Sequence, residues 1–375
     1  MSKRKTRRVV FAGAGTAGHV EPALAVARWL RNEDPGIEIT FLGTSSGVEN
    51  SLVPAAGFDL ALIQKAAFPR SIGVEALLWP ARFIQSFTQV QKIVRGSSLV
   101  IGFGGYVCAP AYLAAKLSGV EIFAHEANAK PGMANAFGVK LGATPLMAFE
   151  SVDKKFEKGL VVGIPLRSQI THLARLTPVE RTKARAAALQ KFGLDPANKT
   201  LLVFGGSLGS AKFNAAIDGS LDALLGAGIQ VIHAVGGKNT LPPARPGYLP
   251  LNYITEMDQA YAAADCVISR SGAVSVSETG VLGIYAIYVP LDIGNGEQRY
   301  NAQIVVNRGG GEIISNSEFS AELIMSSVTA WFERAQRYRE SNSVMGFPLD
   351  GAMRIGVKVL SALRIAEKRG GGRRG

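Results

Sequence analysis

The stretch Ser269-Arg270-Ser271-Gly272-Ala273-Val274-Ser275-Val276-Ser277-Glu278 follows the apolar run Cys266-Val267-Ile268. The apolar run predicts a buried parallel strand, Ser271 and Gly272 a small-residue turn, and 274–282 a helix. A strand–turn–helix of this kind points backbone N–H groups at whatever sits above the sheet edge, and the helix dipole favours an anion there. Glu278 falls roughly one helical turn inside that end, where a carboxylate can accept two hydrogen bonds from a ribose diol. The plainer alternative is an acid that complements the dipole. Glu297-Gln298-Arg299-Tyr300-Asn301 follows as a second polar cluster.

A histidine supplies different chemistry. Gly13-Ala14-Gly15-Thr16-Ala17-Gly18-His19 lies between a predicted strand, 9–12, and a predicted helix, 21–30, which Pro22 opens as a first-turn residue. The glycines fit G-x-G-x-x-G, but the second strand, 37–42, runs into Gly43-Thr44 with no acid for a ribose, which counts against NAD. His19 sits where a loop enters a helix at the carboxyl edge of a sheet. There it is either a general base or a capping and packing residue. His125-Glu126-Ala127-Asn128 closes another strand, 121–125, at the edge where α/β sheets bind ligands.

These residues need elements to hold them. Strands are expected at 60–63 and 99–103, the latter leading into Gly104-Gly105-Tyr106 and a helix over 109–117. A short strand and turn, 161–167, is followed by a charged helix over 175–192. The second half repeats the opening: a strand, 200–204, the glycine loop 205–210, and a helix from Lys212. Further strands are expected at 229–235, 253–254 and 286–289, a short helix over 259–264, and a terminal helix over 354–368. Two strand–glycine loop–helix starts about 190 residues apart predict two βαβ domains with a cleft between the carboxyl edges of their sheets.

The predicted helix 74–94 carries two stripes. Phe83, Phe87, Val90 and Val94 follow core spacing. Leu77, Leu78 and Ile84 fall off that stripe among Arg70, Arg82 and Lys92, which reads either as core or as an apolar patch for a membrane surface.

Composition sets the bounds. A length of 375 residues exceeds one ordinary core, and 47% hydrophobic with 19% charged residues describes a globular chain. Of the net +12, five charges lie in residues 1–8 and a net four in 364–375, leaving +3 for the body. Basic ends suit an anionic surface or are simply solvated tails. Cys108 and Cys266, both in apolar surroundings, fit a reducing compartment. No run approaches the roughly 18 apolar residues of a membrane span. The expected place is therefore cytoplasmic, at most touching a membrane.

The ordered motifs resemble the MurG family, the UDP-N-acetylglucosamine transferases that convert lipid I to lipid II. The resemblance is carried by Gly15-Thr16-Ala17-Gly18-His19-Val20-Glu21-Pro22-Ala23, Gly102-Phe103-Gly104-Gly105-Tyr106-Val107 and Gly205-Gly206-Ser207-Leu208-Gly209. His125-Glu126-Ala127-Asn128, Arg270-Ser271-Gly272-Ala273 through Glu278, Gln298 and Asn301 follow in the same order. It departs at Ala14 and Ala17, where glycine is common, at Ile164 for asparagine, and at Leu208 for glutamine.

The resemblance implies an α/β, GT-B architecture of two Rossmann-like domains with parallel sheets facing a central cleft. Residues 1–164 would be the acceptor and membrane-facing domain and 165–345 the UDP-sugar domain. Residues 346–375 would be a helix and basic tail returning to the first domain. It implies an inverting, metal-independent transfer from UDP-N-acetylglucosamine to the undecaprenyl-diphosphate-linked muramoyl-pentapeptide (lipid I) at the cytoplasmic face of an anionic membrane, with no cofactor and no nucleic acid. Ser207 and the Ala273, Val274 and Ser275 amides would meet the diphosphate, with Arg167 as charge. Ile254 would lie near the uracil, Glu278 at the ribose, and Gln298 and Asn128 at the sugar. Thr16, Ala17, Gly18, Arg270 and Asn301 would complete the donor site, and Gly104, Gly105 and Tyr106 would meet the acceptor. Leu77, Leu78, Ile84 and Arg82 would touch the membrane.

The residues agree on one point independently. No D-x-D pair occurs to hold a divalent metal, so oriented amides, helix dipoles and Arg167 or Arg270 must stabilise a diphosphate leaving group. His19 is the first candidate base, with His125 and Glu126 behind it. Two other readings fit the same scaffold: a UDP-N-acetylglucosamine epimerase, which needs no lipid acceptor, and a non-enzymatic UDP-sugar-binding adaptor.

Overall fold

The computed structural model describes residues 7–69, 74–206, 209–291, 295–341 and 347–371. It divides into two units, Met1–Arg167 with Pro348–Gly375, and Ser168–Phe347.

The first unit carries the strands β1 (Arg8–Gly13), β2 (Glu38–Gly43), β3 (Asp59–Leu62), β4 (Leu99–Gly104), β5 (Glu121–Glu126), β6 (Thr144–Met147) and β7 (Leu160–Val161). They form one sheet in the order β3-β2-β1-β4-β5-β6-β7, parallel throughout. Its helices are α1 (Ala17–Glu33), α2 (Glu49–Ala55), α3 (Val74–Val94), α4 (Cys108–Leu117) and α5 (Met133–Lys140). Because helices cover both faces, alternate residues of β1 serve two cores. Val9 and Phe11 join Leu30, Phe41 and Ile101, while Val10 and Ala12 join Val90, Val100 and Tyr112. A strand buried on both sides must be apolar at every position, which is why the sequence Val-Val-Phe-Ala is unbroken.

The second unit opens with α6 (Ser168–Arg175) and α7 (Pro178–Phe192). Its strands are β8 (Lys199–Phe204), β9 (Ile229–Ala234), β10 (Tyr248–Leu251), β11 (Cys266–Ser269), β12 (Ala286–Tyr288) and β13 (Gly311–Ile313), in the order β10-β9-β8-β11-β12-β13. All pair in parallel. Helices α8 (Ala211–Gly226), α9 (Met257–Ala263), α10 (Ala273–Leu282), α11 (Glu297–Val306) and α12 (Ala321–Glu340) complete it. The chain then returns to the first unit as α13 (Gly351–Gly371). There Ile355, Val359, Ala362 and Leu363, at helical spacing, enter the same core as Val9 and Leu24.

Three local readings of the sequence are corrected. Pro22 does not open α1; the helix starts at Ala17 and Pro22 lies inside it. Pro22 has no N–H for the Gly18 carbonyl and its ring crowds that carbonyl, so α1 forgoes one hydrogen bond near its start. The helix expected over 175–192 begins only at Pro178, after a separate helix that ends at Arg175, because Thr177 caps α7 through a reciprocal box with Glu180: the Thr177 amide donates to Glu180 Oε2 at 2.8 Å. The strand expected at 253–254 is loop, and the ladder lies at Tyr248–Leu251.

Candidate active site

The β1–α1 loop fixes the state of His19. His19 is half-buried as the third residue of α1, and its Nδ1 lies 3.1 Å from the Ala14 carbonyl oxygen and 3.3 Å from Thr16 Oγ1. A carbonyl oxygen only accepts, so Nδ1 carries the hydrogen and Nε2 keeps its lone pair. Burial pulls the imidazole pKa below its ordinary value, and the Ala14 carbonyl, Glu126 and Glu49 act in the opposite direction. The ring is therefore neutral at pH 7, with Nε2 able to take a proton. Thr16 and Gly18 are exposed on the same loop, and Ala17 is half-buried.

The β4–α4 loop is shaped around that ring. Gly104 has φ +100°, and a Cβ there would stand 2.8 Å from His19 Cδ2 and 2.9 Å from Nε2. Gly105, at φ +87°, lies against the Ala14 carbonyl, which a Cβ would meet at 2.5 Å. These two glycines let the second loop close onto the first. Tyr106 is less available to an acceptor than expected. Its hydroxyl is 2.8 Å from Thr44 Oγ1, its ring lies beside Gly15, and Lys65 Nζ stands 5.5 Å from the ring centre.

The remaining base candidates are structural. His125 is fully buried in β5, with Nε2 3.1 Å from the Gly163 carbonyl oxygen, its ring against Phe103, and its pKa lowered to about 4 by burial. Glu126 is 3% exposed, and four N–H donors occupy its oxygens. Oε1 accepts from the Asn128 amide at 2.9 Å and from Asn128 Nδ2 at 3.1 Å; Oε2 accepts from the Gly132 amide at 3.0 Å and from Asn135 Nδ2 at 2.9 Å. A carboxylate so saturated orders the loop between β5 and α5 and orients Asn128, rather than accepting a substrate proton.

In the second unit α10 starts at Ala273 with Gly272 as its cap residue and no capping side chain. The amides of Ala273, Val274 and Ser275 form its first turn, where no intrahelical acceptor exists. Glu278 is 3% exposed, five residues into the helix, and so does not serve as a first-turn acid. Its Oε2 accepts from the Tyr261 hydroxyl at 3.0 Å. Ile254 is buried in the loop after β10.

Two donor-site expectations change. Arg270 spends its guanidinium within the unit: Nη1 donates to the Val289 carbonyl at 3.0 Å and to Asn316 Oδ1 at 2.8 Å, and Nη2 to Ser210 Oγ at 3.0 Å. It also lies 4.6 Å over the Phe213 ring. Arg270 thus pins three loops together, and Arg167 is half-buried. Asn301 is fully buried, and its Nδ2 donates to the Ser271 carbonyl at 3.3 Å, supporting the turn before α10 from beneath. Gln298 Oε1 accepts from the Leu291 amide at 3.0 Å. Ser207 and Leu208 lie outside the described residues.

Sequence reasoning missed Glu49 and Tyr261. Glu49 is fully buried at the start of α2, with Oε2 accepting from the Gly15 amide at 3.0 Å and Oε1 from the Thr44 amide at 3.1 Å. Nothing in the local sequence marks it, because its partners come from other loops. A buried carboxylate beside a glycine loop is visible only after folding.

On α3, Val90 and Val94 are buried, whereas Leu77, Leu78 and Ile84 are 81%, 42% and 62% exposed. The core alternative is thereby excluded for those three. Trp79 of the same helix meets Phe68 edge-on and lies tilted against Phe83, and Arg82 is half-buried; Arg70 lies outside the described residues. Among the described residues no helix is long and apolar enough to cross a membrane, and no group of three His, Cys, Asp or Glu residues could hold a metal ion.

Comparison with known proteins places both units. The glycosyltransferase family 28 N-terminal domain matches residues 9–144, and the glycosyltransferase family 28 C-terminal domain matches residues 200–350. A UDP-N-acetylglucosamine--N-acetylmuramyl-(pentapeptide) pyrophosphoryl-undecaprenol N-acetylglucosamine transferase of Corynebacterium efficiens is 47% identical over 87% of this chain and 89% of its own length. The transferase of the same name from Streptomyces coelicolor is 46% identical over 85% and 88%. The crystal structure of Acinetobacter baumannii MurG superposes with a TM-score of 0.72 at 24% identity, covering 95% of this chain and 99% of that one. With two parallel-sheet units of the GT-B kind, both domain matches and relatives of this identity over most of its length, the chain belongs to glycosyltransferase family 28, in the MurG family.

Proposed function

We propose that the protein transfers N-acetylglucosamine from UDP-N-acetylglucosamine to the 4-hydroxyl of the muramic acid of lipid I, with inversion, giving lipid II for peptidoglycan synthesis. The observation that carries the mechanism is His19, whose Nδ1 is held by the Ala14 carbonyl and whose Nε2 stands over Gly104. The acceptor hydroxyl gives its proton to Nε2 as its oxygen bonds to the anomeric carbon. The bond from that carbon to the diphosphate oxygen breaks, and its electron pair leaves with UDP. Proton transfer of this kind contributes about 10²–10⁴-fold.

The departing charge is received by the Ala273, Val274 and Ser275 amides at the start of α10 and by Arg167. Glu278, oriented by Tyr261, takes the ribose hydroxyls. Ile254 packs near the uracil, and Gln298 and Asn128 reach the sugar. Glu126, His125, Arg270 and Asn301 act as supports. Thr16, Ala17 and Gly18 border the reacting groups, and Gly104, Gly105 and Tyr106 shape the acceptor side. The sequence carries no D-x-D pair, so the amides, the helix dipole and Arg167 are assigned the leaving charge.

Leu77, Leu78 and Ile84, exposed beside Arg82, seat the protein on an anionic membrane from its cytoplasmic face. Incubation with labelled UDP-N-acetylglucosamine, with and without a lipid I analogue, tests the reading. Labelled lipid II only in the presence of acceptor is expected. Conversion of the donor alone would indicate an epimerase, and binding without turnover an adaptor.

A further inference from the structure

Glu49 is a buried carboxylate unused by the transfer chemistry, yet it touches the framework of the base from two sides. Its Oε2 holds the Gly15 amide at 3.0 Å, on the loop that carries both Ala14 and His19, and its Oε1 holds the Thr44 amide at 3.1 Å. Thr44 Oγ1 in turn stands 2.8 Å from the Tyr106 hydroxyl, and the Tyr106 ring returns to lie beside Gly15. One carboxylate therefore closes a ring of contacts through the loops after β1, β2 and β4. Both of its oxygens accept from backbone N–H groups, which suits an ionised carboxylate and leaves a fixed negative charge in a dry site.

We propose that Glu49 is a positioning residue for the transfer step, locking the first glycine loop so that His19 Nε2 is presented over Gly104 and placing a carboxylate near that imidazole. The inference rests on His19 being the base. The charged groups facing His19 are Glu49 from α2 and Glu126 from β5, with Lys65 over the Tyr106 ring as the cation of the cluster. Glu126 answers to the loop between β5 and α5, so Glu49 is the acid that ties charge and loop geometry together. The glycines around it leave it space: a Cβ at Gly43 would meet Glu49 Cγ at 2.6 Å, and one at Gly47 would collide with its carboxylate.

Glu49→Gln removes the charge and replaces one acceptor by a donor facing an N–H group. In the full-length enzyme kcat should fall about tenfold or more, with the donor KM unchanged. The acid limb of the kcat profile should move to lower pH, because a neutral neighbour no longer favours the imidazolium. Imidazole NMR reads the same shift directly; the chain has four histidines, and His19→Asn assigns the resonance. A fall in kcat with an unmoved limb and an unmoved His19 titration would reduce Glu49 to a packing residue and overturn the proposal. If His19→Asn keeps the acid limb, the base assignment itself fails, and the two failures are told apart. Should Glu49→Gln not fold, Glu49→Asp carries the test. It keeps the charge but withdraws it by one methylene, so the His19 titration should stay in place while kcat falls about fivefold. A kcat within about twofold of the unmodified enzyme would overturn the proposal.

Discussion

The imidazole Nδ1 of His19 lies 3.1 Å from the carbonyl oxygen of Ala14, five residues earlier in the loop that leads into α1. An acceptor that cannot donate selects one tautomer, and the start of α1 disfavours the imidazolium. His19→Ala should lower kcat about 10²-fold or more with little change in donor affinity. His19→Asn keeps a hydrogen-bond donor but no proton acceptor, and should be equally impaired. Near-normal turnover in His19→Asn would make the residue structural. Because burial depresses this pKa, the base form prevails above it, so activity should be flat at neutral pH and lost only as pH falls below the ordinary histidine range.

Gly104→Ala tests the space made for the ring. Its Cβ would stand 2.8 Å from His19 Cδ2 at a backbone φ of +100°, a conformation that costs an L-residue roughly 1–2 kcal/mol. Turnover should fall about tenfold or more as the imidazole is displaced, with Tm lowered by a few degrees. Full activity at an unchanged Tm would show that the two loops do not close on each other.

In the donor unit, Glu278→Gln should raise the KM for UDP-N-acetylglucosamine about tenfold or more, the scale of losing a charged hydrogen bond. Tyr261→Phe removes the hydroxyl that holds Glu278 Oε2 and should raise it about fivefold. The acceptor KM should not move in either. Steady-state kinetics varying each substrate decides the matter, and an unaltered donor KM in Glu278→Gln would refute the ribose role.

The exposed side chains of α3 predict a separable membrane function. Leu77→Glu combined with Ile84→Glu should abolish sedimentation with anionic vesicles while a short-chain soluble acceptor is still turned over. Salt should weaken binding of the unmodified protein through screening. Since both positions are more than half exposed, the variant should keep its Tm; vesicle binding that survives would place the contact elsewhere.

Each unit also carries a buried neutral histidine, His125 in one and His233 in the other, both with pKa lowered to about 4 by burial. His233 is locked between the Tyr248 hydroxyl and Asn214 Oδ1, each at 3.1 Å. The unfolded chain binds these protons near the ordinary histidine value, so stability is full above about pH 6.5 and falls as pH drops toward 4, by about 3 kcal/mol per histidine. Thermal melts between pH 7.5 and 4.5 should show Tm falling across this window, and His233→Gln should flatten the loss in the second unit. A Tm independent of pH there would contradict the burial.

The sequence alone determined the alternation of apolar runs, glycine loops and helices, because backbone hydrogen-bond periodicity and side-chain volume act over a few residues. It therefore located Val9–Ala12 and Cys266–Ile268 as buried strands, placed His19 and Asn128 near strand ends, and put Glu278 inside the helix after the second of those strands. It could not say which polar groups remain available for chemistry. That depends on partners distant in the chain: Asn316 is 46 residues from Arg270, and Tyr106 is 62 from Thr44. Folding brought these groups within hydrogen-bonding distance, turned Arg270, Asn301 and Glu126 into supports, and sealed His125 in a core. It left His19 with a fixed tautomer and set Glu49, which no local pattern marks, beneath the loop that carries it. A buried polar group must find a partner or bear the cost of desolvation, and only the tertiary structure assigns those partners.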